Sequence, residues 1–176
     1  GPYTTMILAD LGAEVVKIEQ PKIGDITRNL LKDDPKYSLD GIGAYHLTLG
    51  RNKKSVELDL KSEQGLKLFK KLAKVADVVV DNFSQGVTKR LGIDHQSLKE
   101  VNPKIITCSI SGFGDTEVNR PAYDNLIQGY AGAMSITGTD KENPVKSGIP
   151  IADLGAGLYA VIGILSAIQS REKNES

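Results

Sequence analysis

One cysteine and two histidines are all the chain holds of the side chains that most often crosslink or bind metals. The lone thiol, Cys108, excludes an internal disulfide and fits a reducing compartment. It lies in "KIITCSISGFG", a strand-like run where a free cysteine reads as a small core residue. His46 and His95 are far apart and no CxxC pattern occurs, so no metal-ligand spacing is present. Net charge is also lacking: 22 Lys+Arg balance 22 Asp+Glu. That balance points away from nucleic-acid and membrane-surface partners, though local positive charge still suits a small anionic ligand.

Phosphate-loop signatures are missing too. There is no GxxxxGK[ST]; "GIGAYH" and "GFGDTE" both lack the final glycine of a dinucleotide fingerprint, which disfavours a nicotinamide-dependent oxidoreductase. The longest apolar run, Leu154–Ile168, is broken by Gly155, Gly157 and Gly163 and reads as too short to span a bilayer comfortably. The opening "GPYTTMILADLGAEVV" has no basic n-region or cleavage motif. The expectation is a cytoplasmic protein. No Pro- or Ser-rich linker and no internal repeat divides the 176 residues, a length suited to one domain with its own core.

What is present is alternation of helix-like and strand-like periodicity. Residues 2–11 read as a helix ending at Gly12 and 13–19 as a strand stopped by Pro21 and Gly24. Residues 25–50 read as irregular with a short helix, and 54–60 as a strand. Ser62 caps a helix with Leu66, Phe69, Leu72 and Val75 at helical spacing. "DVVVDNF" (77–83) has three consecutive valines, as in a strand covered on both faces. Short helices follow at 86–91 and 94–102, then a strand in 104–114. Residues 121–135 and 154–170 read as helices. Such a rhythm predicts an α/β fold with a mainly parallel sheet, and ligands at the carboxyl ends of its strands.

Those ends hold the candidates. Arg51, Lys53, Lys54, Lys61, Lys89 and Arg90 recur near strands. Each alone is an ordinary surface charge; grouped, they suit a polyphosphate. "DNFSQG" sets Phe83 at a strand end, either as core or as a flat surface for a purine. Asp153 precedes the long apolar run, where an N-cap is the ordinary role. A helix N-terminus would equally suit an anionic nucleophile.

Five stretches together carry a resemblance: "GPYTTMILADLGAEVVKIEQPKIGDITR", "RNKKSVELDLKSEQGLKLFKKLAKVADVVVDNFSQGVTKRLGI", "NPKIITCSISGFG", "RPAYDN" and "IPIADLGAGLYAVIGILSAIQSR". In this order and spacing the chain resembles the class III (CaiB/BaiF-type) CoA-transferases, a family that includes formyl-CoA transferase and, with altered chemistry, α-methylacyl-CoA racemase. The resemblance implies a Rossmann-like, CoA-binding large domain over 1–176, without the family's first strand and second, smaller domain. It implies transfer of CoA between carboxylic acids, with acyl-CoA as substrate and no covalently bound cofactor at rest, in a homodimer.

It also implies roles for residues. Asp153 matches the nucleophile, which forms an anhydride and then an aspartyl-CoA thioester. Leu58 and Lys61 in "LDLK", and Asn82, Phe83, Ser84 and Arg90 in "DNFSQGVTKR", match CoA contacts. Tyr123 matches a position near the thioester, thirty residues before Asp153. Gln20 departs, since some relatives carry a basic residue there. The racemases carry a histidine where Tyr123 stands; tyrosine as a residue type holds its proton well above neutrality and suits proton exchange poorly. Transferase chemistry is therefore expected. A CoA-binding module without turnover and a racemase-like isomerase are the alternatives.

Overall fold

The computed structural model describes residues 1–116, 118 and 120–174. Helix α1 (Pro2–Asp10) starts with proline in its first turn, where the missing N–H costs nothing. It leads into β1 (Val15–Glu19). The stretch expected to be irregular contains a 3₁₀ turn at Ile26–Asn29, a small hairpin of β2 (Ser38–Leu39) and β3 (Ile42–Gly43), and α2 (Ala44–Gly50). Strand β4 (Lys53–Glu57) then pairs in parallel with β1, Val15 opposite Lys53 and Glu19 opposite Glu57.

Ser62 caps α3 (Glu63–Val75), its hydroxyl accepting from the Gly65 N–H at 3.0 Å. Next come β5 (Val78–Asp81), α4 (Val87–Leu91), α5 (His95–Lys99) and β6 (Ile106–Ser109). Strands β5 and β6 pair in parallel, Val78 opposite Ile106. Then follow α6 (Asp124–Tyr130), a 3₁₀ turn at Ala133–Ile136, and α7 (Ile151–Asn174).

Strand β5 shows why three valines stand in a row. Val79 packs against one buried cluster, Phe69, Ala73, Ile93, Leu98 and Ile105. Val78 and Val80 face the other way, toward Leu8, Val161 and Ile164. Helices thus cover both faces, α3 and α5 on one side and α1 and α7 on the other, the arrangement of an α/β fold with parallel strands. Cys108 packs into the second cluster, and burial pushes its thiol up.

Three expectations shift. Strands are shorter than the apolar runs: β4 ends at Glu57 and β6 at Ser109. The helix expected over 121–135 is two pieces, because Gly132 takes a left-handed conformation (φ 81°) between them. And α7 starts at Ile151, three residues before the apolar run. Its 23 residues through Lys173 are long and apolar enough to cross a membrane, by length and composition alone. In this fold the helix packs on α1, α6 and β6, through buried Val161 and Ile164 and a bond from the Thr4 hydroxyl to the Gly157 carbonyl at 3.2 Å.

Candidate active site

The carboxyl ends of β5 and β6 open into a cleft of about 90 Å³, lined by Asn82–Gln85, Ser111–Gly114, Val118, Arg120 and Ala122. Its walls are tied together locally. The Asn82 amide donates to the Ile110 carbonyl at 2.7 Å, and Asp81 accepts from the Phe83 N–H at 3.1 Å and the Ser109 hydroxyl at 2.5 Å. Gly112 is needed here: a Cβ would stand 2.0 Å from that of Ala122, so any side chain would drive the 120–122 segment off the strand ends.

Three of the expected CoA residues, Asn82, Phe83 and Ser84, therefore share one cleft. Phe83 is 41% exposed, half in the fold and half facing solvent. Leu58 and Lys61 lie elsewhere, on the turn after β4. Leu58 packs on the cluster that also carries Leu91, the neighbour of Arg90. Lys61 and Arg90 are both exposed. Tyr123 is 71% exposed and immediately precedes α6.

Asp153 is solvent-accessible in the first turn of α7, and it is not the cap. That role belongs to Asp124. Its Oδ1 accepts from the Ala152 N–H at 2.8 Å and from the Asp153 N–H at 3.4 Å. Asp124 is braced by Gln128, 2% exposed, whose amide donates to Oδ2 at 2.6 Å and whose carbonyl accepts from the Ser147 N–H at 2.7 Å. The Leu154 N–H is bonded to Pro150. Among the described residues no hydrogen bond reaches the Asp153 carboxylate, so it stands free. Partial desolvation, then the neighbouring Asp124 charge, raise its pKa above the ordinary value. The helix dipole opposes this and favours the anion. Because Asp124 occupies the backbone donors, the helix acts on Asp153 through its field rather than through N–H bonds.

The cleft and the carboxylate are connected: Ala122 lines the first, and Asp124, two residues on, holds the helix turn that carries the second. At the same end, Gly1 at the start of α1 lies against Asn82.

All of residues 1–176 match the model of CoA-transferase family III. The chain belongs to that family. It is 41% identical over 175 residues to a succinate–glutarate CoA-transferase from Agrobacterium fabrum, covering 96% of this chain and 43% of the relative. It is 39% identical over 175 residues to a formyl-CoA:oxalate CoA-transferase from Escherichia coli, covering 98% of this chain and 41% of the relative. A crystal structure of a CaiB/BaiF family protein from Brucella suis superposes with a TM-score of 0.90 at 40% identity, over 99% of this chain and 47% of that one. The chain thus spans about two fifths of the length of these curated family III relatives.

Periodicity and motif order do not mark Asp124, Gln128 or Arg120 as site residues. Asp124 and Arg120 both lie in the quoted "RPAYDN" stretch. The backbone N–H groups that Asp124 caps lie 28 and 29 residues on, and Arg120 meets rings from two separate segments, so apolar periodicity does not mark either residue. Among the described residues, no group of three or more His, Cys, Asp and Glu is arranged to hold a metal.

Proposed function

We propose that this chain carries the CoA site and the nucleophile of a CoA-transferase acting on acyl-CoA and carboxylic acids. The observation that carries the reading is Asp153: a solvent-accessible carboxylate with no hydrogen bond among the described residues, released from capping by Asp124, beside a cleft at parallel strand ends. Its likeness to relatives named CoA-transferases supports it.

In the proposed reaction a carboxylate oxygen of Asp153 attacks the thioester carbonyl. The C–S bond breaks, leaving an aspartyl–acyl anhydride and CoA thiolate. The thiolate attacks the aspartyl carbonyl, giving an aspartyl-CoA thioester and releasing the donor acid. The acceptor carboxylate attacks that thioester, forming a second anhydride, whose acyl carbonyl takes the thiolate to give the new acyl-CoA and free Asp153. A carboxylate nucleophile resembles the acids it exchanges, so every step runs both ways. CoA is placed with its adenosine at Asn82, Phe83 and Ser84 and against Leu58 and Lys61, a phosphate at Arg90, and the thioester near Tyr123. The relatives' names cover different acid pairs, so the proposed substrate class is carboxylic acids.

The proposed assembly is a cytoplasmic homodimer with residues 1–176 as part of the large domain. Exposed apolar side chains on α7, Leu158, Tyr159, Ile162 and Leu165, supply surface of the kind monomers seldom leave open. Within the full-length protein, Asp153→Asn keeps the fold, since the side chain caps nothing, and abolishes transfer. Transfer by the Asn variant at a rate comparable to wild type would remove Asp153 from the chemistry.

A further inference from the structure

Asp153 is placed by its backbone. Its carboxylate takes no hydrogen bond among the described residues, so its position is that of the helix turn that carries it. One turn further on, the Thr4 hydroxyl fixes α7 at the Gly157 carbonyl, at 3.2 Å. On the other side of Asp153 the hold runs through Gln128, whose side chain is buried and spans two segments. Its amide donates to Asp124 Oδ2 at 2.6 Å, while Asp124 Oδ1 accepts from the Ala152 N–H at 2.8 Å. Its carbonyl accepts from the Ser147 N–H at 2.7 Å, on the stretch that leads into α7. One buried amide thus grips that stretch directly at Ser147 and, through Asp124, the first turn of the helix at Ala152.

A buried amide satisfied on both sides is an ordinary way to stiffen a core. At this place it also bears on the reaction. A nucleophilic oxygen has to sit within about 0.5 Å of its reactive position, and a displacement of about 1 Å costs on the order of 100-fold in rate. Loss of both Gln128 bonds frees Ser147 and lets the Asp124 carboxylate turn away from the helix N–H groups. The turn bearing Asp153 then shifts, while ligand affinity is left as it is, because Gln128 is not one of the residues lining the cleft.

We propose that Gln128 is a positioning residue for CoA transfer, holding the first turn of α7 so that Asp153 meets the thioester. The proposal rests on the reading of Asp153 as nucleophile. Its test uses the full-length protein as wild type, Gln128→Leu and Gln128→Glu, mixed with succinyl-CoA or formyl-CoA and quenched with hydroxylamine at timed intervals. The final amount of hydroxamate at residue 153 counts competent sites, and the rate of its formation reads positioning. In Gln128→Leu the rate at saturating acyl-CoA falls about 10–100-fold. The final amount stays, and the half-saturating concentration moves by less than about twofold.

Gln128→Glu keeps an acceptor for the Ser147 N–H but sets a carboxylate against Asp124. Its defect, relative to wild type at the same pH, is larger at about pH 8 than at about pH 5.5. At the lower pH the introduced carboxyl, held protonated by burial and by Asp124, donates again. This variant carries the test if Gln128→Leu melts early. A reduced final amount with an unchanged rate makes Gln128 a support of the fold alone and overturns the proposal. A raised half-saturating concentration with an unchanged maximal rate overturns it in favour of a ligand contact. Wild-type labelling kinetics in both variants leave Asp153 standing without the clamp, and absence of label at 153 in wild type with either donor removes both.

Discussion

Glu19 ends β1 almost fully buried, at 5% exposure, and its carboxylate accepts four hydrogen bonds. Arg28 gives two at 2.8 Å, the Asp25 N–H one at 2.8 Å and the Ser55 hydroxyl one at 2.9 Å. The Arg28 fork above all holds Glu19 down to about 2 against the cost of burial. Burial alone would raise Asp25, but its bonds from Lys17 and Thr27 outweigh this and hold it to about 2 as well. Nearby, burial and then Arg28 lower His46 below 6.5. All three folded-state values are depressed, so the signs agree. Each group contributes stability that is present above its unfolded pKa and lost as pH falls through the folded one. Stability should therefore decline from about pH 6.5 downward and fall steeply between about 4.5 and 2. Urea midpoints measured from pH 7 to pH 3 check this. Glu19→Gln should cost about 3 kcal/mol at pH 7, since it leaves the Arg28 charge without its counter-ion, and should flatten the acid slope. An unchanged slope would mean the cluster is not what titrates.

The ordering of elements depends on a contact between helices. Asp124, at the start of α6, caps α7, and their joint reaches Gln128 and Ser147. Asp124→Ala removes a cap, about 1 kcal/mol, and leaves the buried Gln128 amide without its acceptor, about 1–3 kcal/mol more. Asp153→Ala, which breaks no hydrogen bond among the described residues, should cost distinctly less. Denaturant titration of both variants gives the order, and the reverse order would return the capping role to Asp153. Most elements were legible beforehand for a physical reason: Ser62 with Gly65, or Val78 to Val80, express their structure through neighbours in sequence. The cap of α7 was not, because Asp is a good cap by type and the side chain that takes the role comes from another helix. Likewise Asn82, Phe83 and Ser84 were readable as a strand end, while the Arg120–Phe113–Tyr130 stack required the fold to bring three segments together. The 3₁₀ turn at Ile26–Asn29 is held by the network of buried Glu19 with Asp25 and Arg28, which leaves no periodic trace.

At the scale of the whole molecule, two covered faces of β5 and a pair of core clusters account for the fold, yet α7 keeps one apolar side bare. Leu158 at 48%, Tyr159 at 78% and Ile162 at 59% exposure share that helix. Sedimentation at micromolar concentration should show self-association, weakened by Tyr159→Lys together with Ile162→Lys. A clean monomer in the wild type would contradict the proposed homodimer.

In the proposed reaction Asp153 is the group that becomes acylated. Incubating the full-length protein with acyl-CoA, quenching with hydroxylamine and mapping the peptides by mass tests it most directly. The prediction is a hydroxamate on the peptide containing residue 153, formed only after exposure to acyl-CoA and absent in Asp153→Asn. Labelling at a different residue, or none at 153 while CoA transfer proceeds, would remove Asp153 as the nucleophile.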